Sequence, residues 1–402
     1  MLTEDEWGRV TGPLETAWTL PPRAYTCDEV FAQEVERIFH RDWICVARAS
    51  QLPNPGDYLC VDLVDQPIVV ARDAEGALHA MSRICLHRAM PLVEDQGNGT
   101  RFVCPYHNWT YELDGRLRSA PMMEGADGFD PNQCRLPQLA VEVWQGFVFV
   151  NLLGEAAPPL GPRLAGLEAQ VRGYGLADLQ IAGTLEFDSP WNWKILVENF
   201  MEAYHHIGTH RQTFEPEYPA RDSVVADNGG EPWGLLRMPS VKREPPNPDK
   251  QPDELPYLST LPEAQRHQLL ACSVYPTLLF AGSAASGVWY QLEPRGAGDM
   301  HLKIHLLLEP ETIAGSAAAI DAMMEGICFI HQEDMELWYS EASDRFLPDR
   351  YVTGTCPKCG EEGANADECE KCGAQYSPHD LVAAKANIPG DESTPILKNS
   401  PC

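Results

Sequence analysis

The chain is short of positive charge. Its 402 residues carry 30 Lys and Arg against 59 Asp and Glu, a formal balance of −29 with a pI near 4.7. That deficit excludes a nucleic-acid surface, which needs clustered Lys and Arg to neutralise phosphates. The acidic balance suits solubility and either a basic redox partner or a cationic substrate, and composition does not choose between them. The opening MLTEDEWGRV lacks a basic segment followed by an apolar run, so no secretory leader is read there. The stretch 272–292 has no formal charge, but Pro276, Thr277, Ser283, Ser286 and Gly287 interrupt it, and Val274, Tyr275, Val288, Trp289 and Tyr290 favour strands. It therefore predicts two buried strands and a turn, not a membrane span, and the expected location is cytoplasmic. Disulfide patterning is missing too. Seven of the 13 cysteines (Cys27, Cys45, Cys60, Cys134, Cys272, Cys328, Cys402) show no pairing scheme and are expected to be reduced, while the other six fall in metal-ligand spacings.

At this length two or three domains with real cores are expected. Residues 25–43 space Phe31, Val35, Ile38 and Phe39 like one face of a short helix, with Asp28 as N-cap. From Ile44 the pattern changes to short β-rich runs (YLCVDLV, PIVVARD, ALHAMSR) punctuated by Gly56, Pro67 and Gly76, which predict a small antiparallel β-domain. On it sit Cys85-Leu86-His87 and Cys104-Pro105-Tyr106-His107, with sixteen residues between His87 and Cys104. Two thiolates and two imidazoles suit zinc. They equally suit a Rieske [2Fe–2S] cluster, with both Cys on one iron and both His on the other. The flanking sequences CLHRAMPL and CPYHNWTYELDGRL resemble the two cluster loops of Rieske domains, down to the Arg after the first His and the aromatic near the second. Where that family commonly has Gly, this chain has Ala89 and Asn108.

The stretch ENFMEAYHHIGTH (198–210) gathers two carboxylates and three imidazoles, donors that suit Fe(II) with positions left open for oxygen. On a straight helix Glu202, His206 and His210 share a face, whereas His205 and His210 stand about 140° apart. Helical geometry alone thus pairs His206 with His210; pairing His205 with His210 requires a break, cheapest at Gly208. NWKILVENFMEAYHHIGTH (192–210) resembles the mononuclear iron segment of Rieske non-haem iron oxygenase α-subunits. That resemblance implies His205 and His210 as ligands and His206 as a neighbour. It also implies that Glu202 links a cluster His of one subunit to a ligand His of the next. Residues 327–336, ICFIHQEDME, resemble the helix supplying the third ligand, with Asp334 at the matching position and Glu333 and Glu336 close by. Trp233, Trp289, Tyr290 and Phe200 are candidates for a substrate pocket or for core.

Further on, Cys356-x-x-Cys359, nine residues, then Cys369-x-x-Cys372 is the spacing of a closed four-thiolate zinc ribbon. Residues 346–382 resemble the zinc-binding insert of methionyl-tRNA synthetases, without a nucleotide site.

Together these readings predict an α+β chain: an N-terminal helical segment (1–43), an all-β Rieske domain (44–152), a helix-grip-like catalytic domain with a curved antiparallel sheet (153–342) and a zinc ribbon (343–402). The resemblance implies an oxygenase, usually a trimer, that takes electrons from a separate NAD(P)H-dependent flavin or ferredoxin reductase, since no flavin or NAD fingerprint is present. It would use O2 to hydroxylate or demethylate a small organic substrate. Glu at 202 is closer to enzymes of quaternary ammonium or N-methyl compounds than to aromatic ring dioxygenases. A non-catalytic Rieske electron carrier is the rival from another class; it has no use for Glu202, His205, His210 and Asp334 together.

Overall fold

The structure, a computed structural model, describes residues 3–401 except 14, 243–254, 328–333, 343–344, 348–350, 367–368, 375, 377–379 and 389–392; the side chains of 327, 334–337, 345 and 399–401 are likewise outside it. The chain forms two compact units, 1–325 and 326–402.

In the first unit, ten strands follow the N-terminal segment: β1 Ile44–Arg48, β2 Asp57–Leu63, β3 Gln66–Arg72, β4 Leu78–Ser82, β5 Gln96–Asn98, β6 Phe102–Val103, β7 Thr110–Tyr111, β8 Leu117–Ser119, β9 Gln138–Trp144 and β10 Phe147–Asn151. Seven make one antiparallel sheet in the order β1-β10-β9-β4-β3-β2-β5, and β6-β7-β8 form a small separate sheet that carries one of the two His/Cys loops. Seven more strands follow: β11 Gln180–Ser189, β12 Val224–Val225, β13 Trp233–Pro239, β14 Gln268–Val274, β15 Leu278–Gly282, β16 Gly287–Gly296 and β17 Asp299–Leu308. They build a curved antiparallel sheet in the order β11-β17-β16-β15-β14-β13-β12. The uncharged stretch 272–292 runs through parts of three strands, β14, β15 and β16, joined by turns at 275–277 and 283–286, where two strands and one turn are expected; its β-branched and aromatic content still places it in the sheet. No helix among the described residues is long and apolar enough to cross a membrane.

One core joins the two sheets. The helix Leu160–Val171 turns Leu160, Leu164, Leu167 and Val171 inward at helical spacing against Leu235, Leu270 and Phe280 of the larger sheet, and the same cluster takes in Trp43, Phe147 and Phe149 of the smaller. At the joint Arg48 is fully buried, its guanidinium donating to the carbonyls of Gln145, Leu176 and Leu179. Burial without a carboxylate pushes its pKa down to about 10.

Two local expectations change. Residues 25–43 are not one helix: Arg23–Thr26 and Asp28–Glu34 are separate turns of helix, a π-turn covers Val35–Phe39, and the N-cap is Cys27, with Asp28 the first helical residue. Trp233 and Trp289 are core, Trp289 being fully enclosed between Phe147 and His305. Finally, the second unit begins upstream of the expected boundary at 343. The strand Asp334–Ser340 pairs antiparallel with Ile396–Pro401, which ties it to the C-terminal end of the chain.

Candidate metal centres

The two loops of the smaller domain are the same turn made twice. Cys85 N–H donates to the Met90 carbonyl at 2.9 Å and Ala89 N–H returns to the Cys85 carbonyl at 3.1 Å; Cys104 and Trp109, then Asn108 and Cys104, repeat this at 2.8 and 3.0 Å. Each turn needs a left-handed residue four places after its cysteine, and Ala89 (φ 52°) and Asn108 (φ 58°) adopt it. The loop shape that the family commonly builds with Gly is therefore kept, with strain at Ala89, since only Gly and to a lesser degree Asn visit this region readily. The left-handed conformation costs a Cβ-bearing residue roughly 1–2 kcal/mol, and Gly loses about 0.5–1 kcal/mol more chain entropy. Ala89→Gly is expected to stabilise the domain by roughly 0.5–1 kcal/mol on those figures, read as a higher denaturant midpoint of the cluster absorption. Asn108→Gly should move it less, and a lowered midpoint for Ala89→Gly would contradict the strain argument.

Cys85 and Cys104 are 2% and 1% exposed, and the His87 and His107 rings sit together at the surface side, 4.6 Å between centroids. His87 stacks flat on Trp109 at 5.0 Å. Its Nδ1 is buried with no hydrogen-bond partner among the described residues, as a nitrogen reserved for a metal would be. Burial first, then His107 and Arg88, hold this imidazole below its ordinary pKa, which favours the neutral form that ligates. The Tyr111 hydroxyl accepts from Leu86 N–H at 3.1 Å, leaving its proton for Cys85 Sγ at 3.4 Å. Two inner thiolates, two outer imidazoles and a hydrogen bond to sulfur fit a Rieske cluster.

The second centre begins where the helix Trp193–Phe200 stops. The break falls at Met201–Ala203, ahead of the expected Gly208, and Tyr204–Ile207 form a 3₁₀ turn. Glu202 explains it. Its carboxylate accepts from the backbone N–H of Tyr204 and of His205, capping the turn and competing with helix continuation. The same carboxylate lies 2.5 Å from His205 Nδ1, which fixes that nitrogen as protonated and leaves Nε2 for a metal. His210 Nδ1 pairs with the Thr213 hydroxyl at 3.2 Å. The His205 and His210 centroids are 5.1 Å apart, close to the roughly 5 Å expected of two imidazoles bound through Nε2 at about 2.1 Å to one ion. His206 is buried, donates from Nδ1 to the Tyr218 carbonyl at 3.1 Å and stacks on Phe214, its ring centroid 5.0 Å from that of His205 and 5.7 Å from that of His210. The straight helix that would set His206 and His210 on one face is not formed. Burial first, then His205 and His206, keep His210 below its ordinary pKa. Of the candidate pocket aromatics, Phe200 and Tyr290 meet edge to face at 5.0 Å.

Of the stretch 327–336 expected to be helical, residues 328–333 lie outside the described residues, and Asp334 opens a strand whose alternating, aromatic-rich DMELWYS favours pairing. Asp334 belongs to the second unit and its side chain, like all of Glu333, lies outside the described residues.

In the second unit Cys356, Cys359, Cys369 and Cys372 bring their sulfurs within 4.8 Å of one another, the only such group of three or more potential ligands among the described residues. Sγ separations of 3.9 Å (Cys356–Cys372) and 3.6 Å (Cys359–Cys369) bracket the roughly 3.8 Å of a tetrahedral site with Zn–S near 2.3 Å. Both turns repeat the hydrogen bonding of the Rieske loops, Gly360 (φ 74°) and Gly373 (φ 66°) standing where those have Ala89 and Asn108.

Comparison with known proteins agrees with this geometry. Residues 42–139 match the Rieske [2Fe-2S] domain, residues 176–342 the ring hydroxylating alpha subunit (catalytic domain), and residues 316–401 the class I tRNA synthetases (M). The chain is 36% identical over 194 residues to the carnitine monooxygenase oxygenase subunit of Acinetobacter baumannii (48% of this chain, 52% of that protein). It is 37% identical over 238 residues to the glycine betaine monooxygenase oxygenase subunit of Chromohalobacter salexigens (55% and 53%). It thus spans about half the length of the curated relatives it matches. Among solved structures, a quaternary ammonium Rieske monooxygenase superposes with TM-score 0.66 at 26% identity, covering 78% of this chain and 81% of that one. Naphthalene 1,2-dioxygenase from Rhodococcus sp. shares the fold at TM-score 0.64 and 23% identity, covering 76% and 77%. The chain thus carries, in order, a region matching the Rieske [2Fe-2S] domain and one matching the catalytic domain of ring hydroxylating alpha subunits.

Proposed function

We propose that the protein is the oxygenase component of a monooxygenase acting on a quaternary ammonium or N-methyl compound, with O2 as oxidant and electrons from a separate reductase. The observation that carries it is the Glu202-capped turn, which presents His205 and His210 with their Nδ1 atoms already engaged, in the same chain as a complete Cys85/His87/Cys104/His107 set. A pure electron carrier needs the second set but not the first. Loaded, the two centres supply one-electron transfer and oxygen activation. The chain's own part is to fix which nitrogen each histidine offers, and burial at His87 and His210 favours the neutral ring. Glu202, 40% exposed at its side chain, retains surface for a neighbouring subunit's histidine, the bridging role in a trimer. Asp334 is the proposed third iron ligand, and zinc the proposed occupant of the four thiolates.

The cationic substrate class is supported by the acidic balance of the chain, by Glu at 202, and by the relatives named for carnitine and glycine betaine. The likeness to naphthalene dioxygenase is one of fold and favours no aromatic substrate. Purified protein is expected to contain about three iron and one zinc per chain from these ligand sets. It should consume O2 with a quaternary ammonium substrate only when a reductase is supplied. Zinc at residues 85–107 without labile sulfide would overturn the oxygenase reading.

A further inference from the structure

The helix Trp193–Phe200 runs straight into the Glu202 turn, so wherever it lies, the iron ligands follow. Hydrophobic burial does little to fix it: of its eight residues only Trp193 is buried, and Ile195 is 45% exposed. Its attachments come from the N-terminal segment. Glu34 Oε1 accepts from Lys194 Nζ at 2.6 Å in a pair whose side chains are 11% and 12% exposed, and Glu34 Oε2 accepts from Trp193 Nε1 at 3.0 Å. One turn along, the Tyr25 hydroxyl lies 2.9 and 2.8 Å from the two carboxylate oxygens of Glu198. Lys194 Nζ sits over the Tyr25 and Trp193 rings at 5.6 and 5.2 Å, and Phe39 meets Trp193 edge-on at 5.4 Å. Lys194 and Glu198 are four apart, so the two grips fall on one side of the helix and fix both its axial position and its rotation.

We propose that Tyr25 and Glu34 are positioning residues for the mononuclear iron site. A metal constellation must be held to about 0.5 Å, and a helix free to slide by even half of its roughly 1.5 Å rise per residue exceeds that. The clamp also continues into the Rieske domain, where the Arg41 carbonyl accepts from Asn151 at 3.1 Å just before β1, while Asp42 pairs with Arg163 of the helix Leu160–Val171 at 2.8 Å. One segment thus holds the start of the Rieske sheet and the helix that delivers His205.

The inference rests on His205 and His210 as ligands, and the test separates the two. Full-length protein with an intact cluster has its mononuclear iron exchanged for Co(II), whose d–d absorption reports ligand geometry. Tyr25→Phe keeps the ring beneath Lys194 and removes only the hydroxyl; Glu34→Gln keeps an acceptor for Trp193 but leaves the Lys194 charge unpaired; Glu34→Gln with Lys194→Met restores neutrality. Tyr25→Phe and Glu34→Gln should each weaken Co(II) binding about tenfold, in line with the effect of outer partners on metal sites. Their d–d bands should shift while the Rieske absorption holds, and the double variant should regain most of the affinity lost by Glu34→Gln. Co(II) affinity within roughly twofold of wild type and unshifted bands, beside a lowered thermal midpoint, would show contacts that only stabilise the fold and sink the proposal. If His205→Ala binds Co(II) as wild type does, the ligand assignment falls and the clamp with it.

Discussion

His205→Ala is expected to empty the mononuclear site and lower turnover by more than the roughly hundredfold that loss of an outer partner can bring, while the Rieske absorption stays. The reason is the local geometry: the Glu202 carboxylate accepts from His205 Nδ1–H and so selects the tautomer whose lone pair is on Nε2. His206→Ala should keep the iron, because that ring is committed to the Tyr218 carbonyl and Phe214, and should instead lose stability on the order of 1–3 kcal/mol. Glu202→Gln should keep both centres but hold iron about 10–100-fold less tightly, and the reduced cluster should persist in the presence of substrate and O2. Iron content and single-turnover oxidation of the cluster decide among these. An empty site in His206→Ala with iron retained in His205→Ala would reverse the assignment of the turn.

Exchanging Cys356 and Cys359 for Ser should unfold the second unit. Its core is small: Trp338, Leu347, Val352, Ala364, Leu381 and Ala384 pack around the two buried thiols Cys356 and Cys369. A structural zinc contributes on the order of 10–16 kcal/mol of apparent binding energy to such a module, as much as the roughly 5–15 kcal/mol by which whole domains are stable. Loss of zinc and protease sensitivity from about 326 onward are the expected readouts, with the Rieske spectrum unchanged. Iron retained after Asp334→Asn would place the third carboxylate elsewhere.

What the sequence made legible followed from donor chemistry and spacing. The Cys85, His87, Cys104 and His107 loops and the four-thiolate ribbon could be read directly, because a turn that presents a ligand has a short, fixed length. The strands of 272–292 were legible from β-branched and aromatic residues. The course of 198–210 was not. A period of 3.6 assumes a continuing helix, and what stops this one is a side chain, Glu202, bonding to backbone two and three residues ahead. The strand at 334–340 was hidden for a different reason. Its partner, Ile396–Pro401, lies at the far end of the chain, and local pattern carries no trace of such a distant pairing. The clamp of Tyr25 and Glu34 on the Trp193–Phe200 helix spans a still larger separation and was equally invisible.

The four cysteine turns have a bearing on how the protein is made. During maturation each offers a thiolate on the same backbone frame, so shape cannot tell an incoming metal which turn is which. Only the donors that complete each pair differ, two imidazoles in one case and two further thiolates in the other, and zinc binds both sets well. Cells grown rich in zinc and poor in iron can therefore yield chains that are folded, soluble and colourless, with zinc resident between Cys85 and His107. Colour per mole of protein, not yield or melting temperature, is then the measure of a preparation's competence.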